Sequence, residues 1–91
     1  MNENGMLQML KIDLGITTTA YDERLRLYLQ SAIEMITREG ASLTDSLEDM
    51  QLIVLYASWL WRRRDSGKGM PRMLRWQLNN RIMAEKMQEE Q

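Results

Sequence analysis

Residues 50–61 read as a helix that is apolar on every side. Leu52, Ile53, Val54, Leu55, Tyr56, Ala57, Trp59, Leu60 and Trp61 leave Ser58 as the gap from Leu52 onward. A helix without a polar face has to be surrounded, by other elements of the chain or by other subunits. A bilayer does not supply those surroundings: a spanning helix needs ~18 consecutive apolar residues, and the longest run here, residues 52–57, falls far short. This segment is therefore expected at the centre of the fold. Asp45 and Glu48 form a D-x-x-E capping pair that opens it, and Arg62-Arg63-Arg64 suit the negative end of its dipole.

Punctuation divides the rest of the chain into segments of helix length. No segment shows sustained period-2 alternation, so strands are not expected. Gly15, Gly40 and Gly67-Lys68-Gly69-Met70-Pro71 are the breaks. The first helix is expected from about Gly5, with Met6, Met9, Leu10 and Leu14 on one face and Gly15 as its left-handed stop. Ile16-Thr17-Thr18-Thr19 is β-branched and reads as a loop. A second helix begins at Thr19 or Asp22, with Leu25, Tyr28, Leu29, Ala32, Ile33 and Ile36 at amphipathic spacing. A fourth starts with Pro71 in its first position and carries Met73, Leu74, Trp76, Leu78, Ile82, Met83 and Met87. The expected architecture is all-α: four helices with the apolar third in the middle of a small antiparallel bundle. It forms one domain over residues 1–91, with residues 1–5 and 88–91 frayed.

Composition removes most chemistry. Among 91 residues there is no cysteine and no histidine. Disulfides, thiolate metal sites, the commonest general base and the near-neutral pH switch are excluded. A metal site built from carboxylates alone is what remains. Asp45, Glu48 and Asp49 cluster at one helix start, where capping accounts for them without chemistry. Ser66-Gly67-Lys68-Gly69 lacks the spacing of a phosphate loop. No nucleophile–base arrangement can be assembled, so the expectation is a protein that is not an enzyme and has no cofactor. The first five residues lack the features of a signal peptide, which points to a protein made and kept in a cytoplasm.

The charge is unevenly spread. Twelve basic and thirteen acidic residues give −1 overall. Residues 1–61 hold four cations against nine acids, whereas residues 62–81 hold seven cations against Asp65 alone. Arg62, Arg63, Arg64, Lys68 and Arg72 in that band are candidates for phosphate contact. The band could equally face an acidic patch on a neighbouring copy, or be a solvated helix end. Trp59 and Trp61 lie about 200° apart on a helix, so one can enter the core while the other meets something else. Trp76, between Arg75 and Gln77, is a candidate interface anchor. Nine methionines supply adaptable apolar surface, most of it expected as core filling.

One ordered set of features resembles a known family. Leu14-Gly15-Ile16 ends a short helix, and Asp22-Glu23-Arg24-Leu25 opens a long one. Ala57-Ser58-Trp59-Leu60-Trp61-Arg62-Arg63-Arg64 ends an apolar third helix, Met70-Pro71 follows a glycine loop, and the last helix runs from Leu74 through Arg81. Over roughly residues 6–81 this resembles the small head–tail connector (adaptor) proteins of tailed bacteriophages, also described as DNA-packaging or head-completion proteins. The resemblance implies a non-catalytic virion protein that forms a ring of about a dozen copies beneath the portal. Such a ring extends the DNA channel, receives the tail or stopper protein and helps retain the packaged DNA. Its C-terminal part engages the portal, and helices meet helices between neighbours. The candidate oligomer or portal contacts are then Tyr28, Trp61, Arg62, Arg63, Arg64, Arg72, Arg75 and Trp76. The alternative is a small helical DNA-binding regulator that reads DNA with the helix from Pro71, using Arg72, Arg75, Gln77, Asn79, Asn80 and Arg81. A generic helical oligomerisation module is a third reading.

Overall fold

The computed structural model describes residues 2–89. Among them four helices form and no strand: α1 Glu3–Leu14, α2 Asp22–Arg38, α3 Leu47–Ser66 and α4 Arg72–Glu89. The fold is a small all-α bundle, as the periodicity implies. The molecule is a slab of 46 × 28 × 18 Å.

α1 starts earlier than its apolar pattern suggests. The Asn2 side chain accepts the Gly5 N–H at 2.9 Å, which caps a helix running from Glu3. Residues 3–5 are thus helical, and Gln88 lies within α4. Met1, Glu90 and Gln91, the remainder of the ends expected to fray, lie outside the described residues. Gly15 stops α1 at φ +72°, with its N–H on the Ile12 carbonyl and that of Ile16 on the Lys11 carbonyl. The buried face is Met6, Leu7, Leu10 and Lys11, turned slightly from the expected one, so Met9 and Leu14 are half-buried. Buried Lys11 is paired with Asp22 at 2.9 Å, which ties α1 to the first residue of α2. α2 buries Leu25, Leu29, Ala32 and Ile36 in the expected register.

α3 packs against all three other helices. Its cap differs from the D-x-x-E reading. Ser46, not Asp45, is the cap, and its hydroxyl accepts the Asp49 N–H at 3.1 Å. The helix therefore begins at Leu47. The polar gap is also placed differently. Ser58 is buried at 2% exposure, while Leu55 is left open at 38%. Ser58 follows Val54 by one helical turn and shares its covered side, where the hydroxyl has no hydrogen-bond partner.

α4 is held differently from the others. Leu74 and Leu78 are buried against the shared core, with Ile82 half-buried beside them. Pro71 lies one residue ahead of the helix, and its carbonyl accepts the Arg75 N–H at 3.1 Å. The rest of the attachment is polar. Asp49, only 2% exposed, receives Arg81 through Nε at 2.7 Å and a terminal N–H at 3.2 Å. It also accepts the Thr44 N–H at 2.8 Å and the Thr44 hydroxyl at 3.0 Å. Arg81 donates as well to the Ser42 carbonyl at 2.7 Å and to Glu85 at 3.1 Å, and Glu85 accepts the Ser42 N–H. Asp49 is therefore more than a capping acid: it joins the 42–44 loop, the start of α3 and the middle of α4. Burial pushes its carboxyl up, but the Arg81 and Thr44 hydrogen bonds outweigh burial and hold it below its ordinary value. Glu85 is also held low, chiefly by its hydrogen bonds from Ser42.

Two outcomes follow for stability. A carboxylate whose pKa is depressed on folding stabilises the native state fully above the ordinary range, and that contribution is lost as the pH falls below it. Thermal melts should therefore show a decline into acid that Asp49→Asn flattens, and the variant should lose about 2–3 kcal/mol at neutral pH. A wild-type acid profile matching that of the variant would count against this role. Ser58→Ala removes an unsatisfied buried hydroxyl and should stabilise the chain by about 1 kcal/mol, raising Tm by about 4–8 °C.

Candidate functional site

The candidate residues lie on the last two turns of α3, the loop that follows it and α4, with Tyr28 on α2. Three consecutive arginines leave a helix about 100° apart, and here each takes a different partner. Arg62 turns to α1, donating to the Asp13 carbonyl at 3.2 Å with the Asp13 carboxylate at 3.7 Å. Arg63 lies over the Trp59 ring, 4.9 Å from its centroid. Arg64 lies over Trp61 at 3.8 Å.

The two tryptophans diverge as their spacing requires. Trp59 meets Tyr56 edge-on at 5.4 Å and donates its ring N–H to the Gly69 carbonyl at 3.2 Å, which pins the α3–α4 loop. Trp61 turns to α2, where Tyr28 and Tyr21 meet it edge-on at 5.7 and 5.6 Å. Neither tryptophan is fully buried. Tyr28 and Trp61, both candidates for subunit contact, thus pack against each other within the chain. Lys68 sits in the loop beside Gly67, which adopts φ +66° and caps α3 by donating to the Arg63 carbonyl. Tyr28, Trp59, Arg63, Arg64, Lys68 and Gly69 enclose most of a cleft of about 460 Å³.

On α4 the candidates separate again. Arg75 is committed to Glu39 at 2.7 Å, and Arg81 to the Asp49 network. Arg72 is exposed. Trp76 is 61% exposed, and with Met73, Met83 and Met87, each about 60% exposed, it occupies the helix side away from Leu74 and Leu78. The apolar residues of α4 therefore divide into a buried stripe and an open one. Between the open stripe and α3, Gln51, Leu55, Trp76, Gln77 and Asn80 line a groove of about 380 Å³. Among the described residues, no three acidic side chains come together as a metal site. The arrangement offers apolar area for a protein partner and stacked cations for an anion. Sequence reasoning passed over Leu55 and the outer methionines as core. The available signal was their offset: Met73 and Leu74 are adjacent, and so point about 100° apart. The chain matches no protein-family model, no curated protein and no solved structure.

Proposed function

We propose that the chain is a structural assembly protein, a head–tail connector subunit of a tailed bacteriophage. In this reading about a dozen copies form a ring below the portal, extend the DNA channel and join head to tail. The observation that carries assembly is the open stripe of α4. Four large apolar side chains share one side of α4 that no other described residue buries. Contiguous apolar surface of this kind marks an interaction site. The Asp49–Arg81 attachment fixes α4, so the stripe is presented and not folded away. Of the other exposed apolar residues, Leu27 sits on α2, whereas Ile12 on α1 adjoins Gln51 and Leu55, which also line the groove beside Trp76. Contact between unlike surfaces of identical copies is head-to-tail, and such contacts form a ring where the rotation between copies closes and a filament where it does not. The connector identity rests on the resemblance over residues 6–81.

Its implied partners are other copies, the portal protein, the tail or stopper protein, and packaged DNA in the channel. Its place is the virion head–tail junction, after synthesis in the bacterial host cytoplasm. Among the described residues, no helix is long and apolar enough to cross a membrane. The regulator reading has weaker support. Of the three arginines it needs on α4, Arg75 and Arg81 are engaged inside the chain, and Trp76 and Met73 break up the remaining polar surface.

Light scattering behind a sizing column tests the proposal. A ring of about twelve 10.8 kDa subunits has a mass of roughly 130 kDa. Trp76→Asp combined with Met83→Asp should reduce that mass to one subunit. Both sites are solvent-exposed, so the melting temperature should stay within a few degrees. A compact two-fold dimer, or an assembly indifferent to the double variant, would refute the proposal as stated.

A further inference from the structure

A cleft lined by cations lies at the end of α3, apart from the apolar stripe of α4. Its lining includes three cations, Arg63, Arg64 and Lys68, and no carboxylate. Neither Arg63 nor Lys68 has an ion pair among the described residues. Arg64 has Asp65 at 3.8 Å, but that carboxylate is 82% exposed and such a pair is worth little. The end of a helix is negative and would oppose an anion. Here that end is partly satisfied: the Arg63 carbonyl accepts Gly67 N–H at 2.7 Å, and the Arg62 carbonyl accepts the Ser66 hydroxyl at 3.4 Å.

The two guanidinium groups are already positioned. Each is stacked on a tryptophan of the same helix, and those tryptophans are held by Tyr56, Gly69, Tyr28 and Tyr21. Stacking occupies the face of a guanidinium and leaves its edge donors for an anion. Arg63 and Arg64 rest over different rings, and Lys68 adds a third cation from the loop that follows α3. Cations carried on separate supports suit successive phosphates on a strand better than a single small anion. Asparagine and glutamine, the usual readers of adenine, are missing from the lining, as are acids that could accept from cytosine.

We infer that this cleft takes phosphate groups of a nucleic-acid backbone without regard to sequence. The inference deepens the connector reading and rests on it for the source of the phosphate, DNA passing the ring. Within the basic band it selects Arg63, Arg64 and Lys68, and leaves out Arg62, which is turned to α1.

The test is anisotropy of a labelled duplex of mixed sequence titrated with the full chain at 50 and 200 mM salt. Inorganic phosphate serves as competitor, and mass is measured on the same samples. With three phosphates engaged, affinity should fall by about 40-fold or more between the two salt concentrations. Arg63→Gln and Arg64→Gln should each weaken binding and flatten that dependence, with mass unchanged. Arg62→Gln should leave the salt dependence as it is, and a second duplex of different sequence should bind equally. Millimolar inorganic phosphate should compete poorly. Equal loss in Arg62→Gln would overturn the inference, because it would mean a diffuse basic patch. Full competition by inorganic phosphate would also overturn it, in favour of a small-anion site. So would variants that lose assembly while duplex affinity stays, since that marks an acidic protein surface as the occupant. A monomer that binds the duplex in the expected pattern would support the cleft and count against the ring.

Discussion

A carboxylate removed from water has to be compensated, and the compensation of Asp49 organises this molecule. Its partners come from the 42–44 loop and from the middle of α4, residues that the chain brings together from 5 and 32 positions away. Without them a buried charge would be left unpaired, which is among the costlier defects a small domain can carry. The pairing sets the entry of α3, because Thr44 donates to the Asp49 carboxylate while the Ser46 hydroxyl accepts the N–H of the same residue. It also sets the position of α4, whose apolar attachment is limited to Leu74, Leu78 and the flank of Ile82. α1 and α2 are fixed to α3 mainly by apolar packing; α4 is fixed by a polar clamp over a narrow apolar seam. That difference explains why α4 keeps one side free.

The parts of the fold legible in the sequence are those governed by local periodicity. The α2 register, the Gly15 stop and the loop of β-branched residues each depend on neighbours within a turn or two. Ser46 and Asp45 show where such reading reaches its limit. Both residue types cap helices well, and the choice between them was decided by Asp49, whose N–H meets the Ser46 hydroxyl while its carboxylate meets Arg81. A contact across 32 residues leaves no trace in helical spacing. The exchange of Ser58 and Leu55 has the same origin. A segment apolar all round does not declare which side its neighbours leave open; the placement of α4 declares it.

The candidate site was legible as composition and not as geometry. The basic band, the diverging tryptophans and an exposed Trp76 can be read from spacing alone. The partners that sort them cannot. Tyr28 and Tyr21 come from α2 and its approach, Asp13 from α1, and Glu39 from the end of α2. Each takes one member of the band out of circulation or fixes its direction. Arg62, Arg75 and Arg81 are drawn into the fold, while Arg63, Arg64, Lys68 and Arg72 stay available.

This division bears on how a neutral protein could serve DNA. A wall studded with free arginines would hold a duplex by counterion release, and movement along it would be slow. A chain that spends three of its seven band cations on its own helices presents fewer contacts per copy. Repeated around a ring, a few such contacts would keep a duplex centred through many weak attractions, each easily exchanged for the next. Under that reading, the same internal ion pairs that position α4 for subunit contact also limit how strongly the ring grips its cargo. Assembly and passage would then be two consequences of where Arg75 and Arg81 point.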